Sequence, residues 1–157
     1  MTPSITVAPI GSAADHAAAQ DLMREYVFRL ERDHAITVAY QDFDGEMATF
    51  PDRYALVLLA RVNGAAAAVC GLKRLNAERC ELKRLYCRDA FRGFGLGERL
   101  TLDCMDHARA EGFTRIVLDT HPALAAAVAL YRRLGFTPGA PHNERGGACT
   151  LVFGRDL

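Results

Sequence analysis

The chain has 157 residues, half of them apolar and about a quarter charged, enough to bury a sizeable core as one domain over residues 1–157. Nineteen basic residues balance nineteen acidic ones, so no excess of positive charge speaks for a nucleic-acid partner. No apolar run nears the ~20 residues of a membrane span, and the five cysteines form no CxxC pair and no metal-ligand spacing.

The odd cysteine count, with several at apolar positions, predicts reduced thiols in a cytoplasmic protein and no bound metal. The N-terminus lacks a basic region followed by an apolar run, so no signal peptide is expected. Ile5 to Ile10 is a short β-rich run between Pro3 and Gly11 and reads as a first strand. Ser12 is placed to cap a helix, with Asp15 three residues on. From Ala13 to Arg32, Ala18, Leu22, Tyr26 and Leu30 recur at helical spacing. Asp33 to Arg53 is weakly patterned, with a short helix expected near Asp44–Thr49. Long irregular segments in compact domains tend to form lids or pocket walls.

Tyr54–Val62 and Ala65–Arg74 are predicted strands joined at Asn63-Gly64, since that dipeptide supplies two residues at positive φ. Glu81–Cys87 is a fourth strand. Gly95–Glu111 is a helix with Leu96, Leu100, Cys104 and Ala108 on one stripe, ended by Gly112. Thr114–Thr120 is apolar on both sides and so reads as a central strand. Pro122 is expected at the first position of a helix that runs to Leu134 and stops at Gly135. Phe136 leads into a strand or turn, and Ala148–Phe153 is the last strand. A hairpin followed by strand–helix–strand units predicts a mixed sheet covered by helices.

The most informative stretch is Cys80 to Leu100, where a strand empties into Arg92-Gly93-Phe94-Gly95-Leu96-Gly97-Glu98 at a helix start. Unpaired N–H groups and the helix dipole favour an anion there, and Arg88 and Arg92 flank the glycines. The loop lacks the Gly-Lys-Ser/Thr of a Walker A motif. A dinucleotide fingerprint would need a third glycine where Glu98 stands, although Asp119 ends the next strand where a ribose-binding acid would fall. Read alone, the glycines could serve only a tight turn. A second motif, Leu130-Tyr131-Arg132-Arg133-Leu134-Gly135-Phe136, reads as a helix end, with Tyr131 the residue that reading explains least.

Together, Arg92-x-x-Gly95-x-Gly97 and the later Leu130-Tyr131-x-x-Leu134-Gly135-Phe136 resemble the acetyl-coenzyme A signature of the GNAT acetyltransferases. Glu81-Leu82-Lys83-Arg84-Leu85-Tyr86 is similar to a strand of the small single-domain branch of that superfamily. The resemblance is dense from Cys80 to Phe136. It implies an α/β fold with a GNAT-like mixed, mostly antiparallel sheet flanked by helices on both faces. It also implies acetyl transfer from acetyl-coenzyme A directly to a primary amine of a small molecule or peptide. Many relatives carry asparagine seven residues before the helix tyrosine; this chain has Leu124.

On that resemblance Tyr131 is the acid that serves the leaving sulfur, since a phenol is protonated at neutral pH. Leu85, Tyr86 and Cys87 form the edge on which the pantetheine arm docks, beside a splayed neighbouring strand. Arg92, Gly93, Phe94, Gly95, Leu96, Gly97 and Glu98 hold the pyrophosphate. Glu81 is the first candidate base; equally, it is a solvated strand-end charge or an ion partner of Lys83 or Arg84. Glu46 is the next candidate, in a segment expected to line the acceptor pocket with the Pro138–Gly147 loop. His121 fits a helix start beside Pro122, Asp119 a cap or an orienting acid, and His16, His34, His107 and His142 the surface. Cys87 has no paired histidine, so a buried structural thiol is expected rather than a nucleophile. Two rivals stand beside this reading: a coenzyme-A-binding regulatory module without catalysis, and a nucleotide-binding oxidoreductase fragment. A homodimer is allowed, and no membrane partner is expected.

Overall fold

The computed structural model describes residues 2–38, 41–141 and 150–157. Its elements run β1 (Ile5–Pro9), α1 (Ala13–His34), α2 (Phe43–Ala48), β2 (Leu56–Val62), β3 (Ala65–Arg74), β4 (Arg79–Cys87), α3 (Leu96–Ala110), β5 (Arg115–Thr120), α4 (Ala125–Arg133), β6 (Thr137–Pro138) and β7 (Leu151–Asp156), with a short 3-10 turn at Asp89–Phe91. The seven strands form one sheet in the order β1-β2-β3-β4-β5-β7-β6. Every pairing is antiparallel except β4 with β5. Among the described residues no helix is long and apolar enough to cross a membrane.

Local chemistry accounts for most boundaries. The Ser12 hydroxyl accepts the Asp15 N–H and the Asp15 carboxylate accepts the Ser12 N–H, closing the capping box that starts α1. Asn63 and Gly64 take φ of 51° and 86°, as the hairpin turn between β2 and β3 requires. One boundary differs from expectation. Pro122 lies in a turn, and α4 starts three residues later with Leu124 as its N-cap. The His121 side chain captures the Ala123 N–H at 3.0 Å, and the Leu124 N–H goes back to the His121 carbonyl at 2.9 Å. These local bonds hold the chain in a turn before the helix can begin.

Strand alternation divides the core between two helix layers. Val57, Leu59 and Val69 pack against Ala19, Leu22, Met23 and Met47 of α1 and α2. Leu58, Ala60, Cys70, Leu72, Ile116, Leu118 and Phe153 pack against Leu96, Leu100, Cys104 and Met105 of α3 and Leu130 and Tyr131 of α4. Burying each such leucine contributes roughly 1.5–3 kcal/mol, so the two layers clamp the sheet from both sides.

Alternation breaks in β3, where Ala67 is skipped between the Ala60–Ala68 and Arg61–Ala66 pairs, and again in β4. Val69 pairs with Tyr86 but Gly71 pairs with Lys83, so Arg84 and Leu85 together face the single residue Cys70. Arg84 sits at φ 58° in this bulge. The extra residue changes the parity of the strand. Cys80 and Leu82 face the α3 layer before it, and Leu85 and Cys87 face the same layer after it. Lys83 and Arg84, adjacent in sequence, both reach toward the α1–α2 layer, where they bond Gln41 and Glu46.

Candidate active site

The sheet opens where β4 and β5 part. Only Arg79, Cys80 and Glu81 pair with β5, against Arg115, Ile116 and Val117. From Leu82 onward β4 has no strand on that side among the described residues. A cleft of about 690 Å³ occupies the split and is lined from both layers. On the α3 side its wall is Arg92, Gly93, Gly95, Leu96, Gly97 and Glu98, with Tyr131 and Leu124 from the α4 region. The other end is bounded by Ile36, Val38, Gln41, Glu81 and Lys83, with Asp119, His121 and Thr150 nearby. Leu85, Tyr86 and Cys87 form the wall between the two ends.

The glycine loop has the geometry of an anion cradle. Gly95 caps α3 at φ 70°, and among the described residues no side chain bonds the first-turn amides. The first backbone bond back to the cap is Arg99 N–H to the Gly95 carbonyl, at 3.0 Å. The N–H groups of Leu96, Gly97 and Glu98 therefore face the cleft end of the dipole. Gly93 also has positive φ, 91°. Arg92 is held by Asp89 at 2.8 Å and is largely exposed. Two expectations for the loop change. Phe94 is exposed and outside the cleft lining. Arg88 turns away to the α1 layer, where it pairs with Glu25 at 3.0 Å and donates to the Ala66 carbonyl at 3.1 Å.

A Cβ placed on Gly95 meets no protein atom within 4 Å, so space inside the protein does not dictate glycine here. The backbone conformation does. We expect Gly95→Val to strain the cap by about 1–2 kcal/mol and to put a branched side chain into the cradle. Calorimetric titration with acetyl-coenzyme A should show affinity reduced at least about tenfold, or roughly 1.4 kcal/mol; unchanged affinity would contradict the cradle.

Tyr131 is buried at 6 % exposure, its ring packed edge-on to Phe136 at 5.6 Å. Among the described residues its hydroxyl has no hydrogen-bond partner. Burial, with the nearby Tyr26 hydroxyl and the Cys70 and Cys104 thiols, pushes its pKa well above the ordinary phenol value. Tyr131 is thus held protonated, as a donor must be. Tyr26, which patterning places only in the helical core stripe, also lines the cleft.

The acidic candidates separate cleanly. Glu81 lines the cleft at 5 % exposure, with Lys83 Nζ at 4.0 Å. Glu46 does not line it. Its carboxylate is 1 % exposed and accepts the Tyr54 hydroxyl at 2.6 Å and Arg84 Nε at 3.2 Å, with Lys73 Nζ at 3.7 Å. Burial alone would raise its pKa; the charges of Arg84 and Lys73 and the hydrogen bonds from Tyr54 and Arg84 outweigh it and hold the carboxyl below the usual range. Glu46 is therefore a structural anion under the bulge rather than a base. The arrangement depends on Gly71, because any Cβ there would collide with the Tyr54 ring.

The remaining candidates are placed as follows. The Cys87 thiol donates to the Arg88 and Phe91 carbonyls at 3.5 and 3.6 Å, and burial raises its pKa, so it is not poised as a thiolate. Asp119 and His121 line the cleft, His121 in its turn-capping role. His34 is exposed at the cleft rim, His107 is exposed, and His16 is half-buried against Phe50 with Nδ1 2.8 Å from the Ser12 carbonyl. His142 and most of the Pro138–Gly147 loop lie outside the described residues. The described residues hold no group of His, Cys, Asp and Glu that could bind a metal ion. Lys83, which the sequence offers only as an ion partner of Glu81, also lines the cleft. Its i, i+2 spacing from Glu81 on one strand face was the available signal.

Known acetyltransferases share this fold. An N-acetyltransferase of unknown role from Schizosaccharomyces pombe is 29% identical over 149 residues, covering 90% of this chain and 89% of that protein. An acetyltransferase structure from Streptococcus agalactiae superposes with a TM-score of 0.77 at 23% identity, covering 98% of each chain. A Salmonella typhimurium acetyltransferase solved with its cofactor acetyl-CoA superposes with a TM-score of 0.73 at 24% identity, covering 98% of this chain and 94% of that one. The family model for the acetyltransferase (GNAT) family matches residues 16–136, and with the split sheet, the glycine cradle and Tyr131 in one cleft, the chain belongs to that family.

Proposed function

We propose that residues 1–157 form one N-acetyltransferase domain that moves the acetyl group of acetyl-coenzyme A directly to a primary amine. The observation that carries the mechanism is the Tyr131 hydroxyl, on a buried side chain and with no hydrogen-bond partner among the described residues, in the cleft that the glycine cradle and Glu81 also line. The pyrophosphate rests on the amides of Leu96, Gly97 and Glu98, with Arg92 at the rim. The pantetheine arm takes the vacant edge of β4 along Leu85–Cys87 as a short added strand. A backbone N–H of that edge stabilises the developing charge on the carbonyl oxygen.

The acceptor arrives as an ammonium ion. One proton passes to Glu81 and on to solvent, freeing the nitrogen lone pair to form the N–C bond at the thioester carbon. The C–S bond breaks with its electron pair on sulfur, which takes a proton from Tyr131. The second nitrogen proton returns through water to the Tyr131 oxygen. The products are the N-acetyl amine, coenzyme A and one net proton.

Direct transfer rather than an acyl-Cys87 intermediate is supported by the raised Cys87 pKa. We also infer a cytoplasmic location, since Cys70, Cys80 and Cys104 are free and buried, which suits a reducing compartment. The test is thiol release from acetyl-coenzyme A over a panel of amines, with both substrates varied. Amine-dependent release with intersecting double-reciprocal lines is expected. Parallel lines would indicate an acyl-enzyme, and tight coenzyme binding without release on any amine would indicate a binding module.

A further inference from the structure

The acceptor end of the cleft carries a matched pair of opposite charges. Glu81 and Lys83 are two residues apart on β4 and point to the same face, Lys83 Nζ 4.0 Å from Glu81 Oε1. Both are nearly buried, with side chains 6% and 12% exposed. Lys83 Nζ also donates to Gln41 Oε1 at 3.3 Å, so its position is fixed from the α1–α2 segment. The neighbouring cation, Arg84, is not available to a ligand in the same way. Its guanidinium is committed to Glu46 and stacked over Phe43, 5.3 Å from the ring centroid.

Burial disfavours the Lys83 ammonium. Glu81 and, less strongly, Glu46 offset that, whereas Arg84 and Lys73 add to it. An incoming amine that brought only positive charge would worsen this balance. An amine that brought its own anion would correct it. Glu81 has lone pairs to accept an ammonium, and Lys83 has three donors, of which Gln41 takes one. A zwitterion laid antiparallel across this pair satisfies both ends. Leu30, Ile36 and Val38 give the same cleft an apolar part, while Gln41, Asp119, His121 and Thr150 are its polar lining at this end.

We propose that the acceptor is an α-amino acid with an apolar side chain, its ammonium on Glu81, its carboxylate on Lys83, and its side chain against Ile36 and Val38. The inference rests on the transferase reading above and deepens it. It makes Lys83 the residue that selects the acceptor, while the bonds made and broken are those already described.

The test compares acetylation of L-leucine, L-methionine and L-phenylalanine with their amides and decarboxylated amines, in the wild type, Lys83→Gln and Lys83→Arg. For the wild type, kcat/KM for the acid should exceed that for the amide by about a hundredfold, because an unpaired buried charge penalises the neutral analogue. Lys83→Gln should collapse that ratio toward one, and Lys83→Arg should retain most of it. Amides or simple amines accepted as well as the acids would overturn the inference, as would a ratio unmoved by Lys83→Gln. Acetyl-coenzyme A affinity, measured by calorimetry in the same samples, separates the two readings. Tight coenzyme binding with amines acetylated but no preference for the acids overturns the amino-acid class alone. Absent coenzyme binding overturns the transferase reading with it.

Discussion

Tyr131→Phe is expected to lower kcat by about a hundredfold or more while leaving the affinity for acetyl-coenzyme A nearly unchanged. The substitution removes one oxygen and keeps the ring that packs on Phe136. The hydroxyl has no protein partner among the described residues, so its loss orphans no buried group and stability should hold. What disappears is the proton for the leaving sulfur. Because burial pushes the Tyr131 pKa up, the wild type should show no loss of activity from this group at or below the ordinary phenol pKa of about 10. Single-turnover kinetics report the chemical step directly. An unchanged single-turnover rate would remove Tyr131 as the acid and turn attention to Tyr26, the other phenol that lines the cleft.

How far such a site can be read from sequence depends on how local its determinants are. The cradle is legible because Gly93 and Gly95 sit at positive φ and Gly95 heads a helix, requirements a few neighbouring residues express. The Ser12–Asp15 cap, the Asn63-Gly64 turn and the double-sided apolar run of β5 are legible for the same reason. Tyr131 becomes a candidate only through its spacing from that loop in a family signature. What escapes depends on pairing across the sheet. The bulge at Arg84 gives no sequence signal, because an arginine at φ 58° is held there by β3 and by Glu46 rather than by its own preference. Its consequences escape with it. Alternation cannot show that Lys83 and Arg84 share a face, that Glu46 turns inward to meet Arg84, or that Arg88 leaves the cradle for Glu25.

The pair under the bulge should be the costliest to break. Glu46→Ala is expected to destabilise the protein by about 3–5 kcal/mol, the usual cost of stranding one member of a buried ion pair. Arg84 is 3% exposed at its side chain and would lose its bonded anion, Tyr54 would lose its acceptor, and Lys73 would lose the carboxylate 3.7 Å from its Nζ. Urea unfolding measures the loss. The double variant Glu46→Ala with Arg84→Met should recover a substantial part of it, because apolar replacement of both partners removes the stranded charge. Simple additivity would show that the pair is not coupled. The pH dependence has a definite sign. The folded Glu46 carboxyl titrates below its ordinary value, so its contribution is complete above the unfolded carboxylate pKa of about 4.3 and is lost as pH falls through the lower folded value. Glu46→Ala should flatten that part of the acid limb. Because Arg84 occupies the bulge that turns Leu85 and Cys87, both lining the cleft, to the α3 side of β4, loss of the pair should also lower kcat in the fraction that remains folded. A variant that kept full kcat while losing stability would show that the bulge holds its shape through β3 pairing alone.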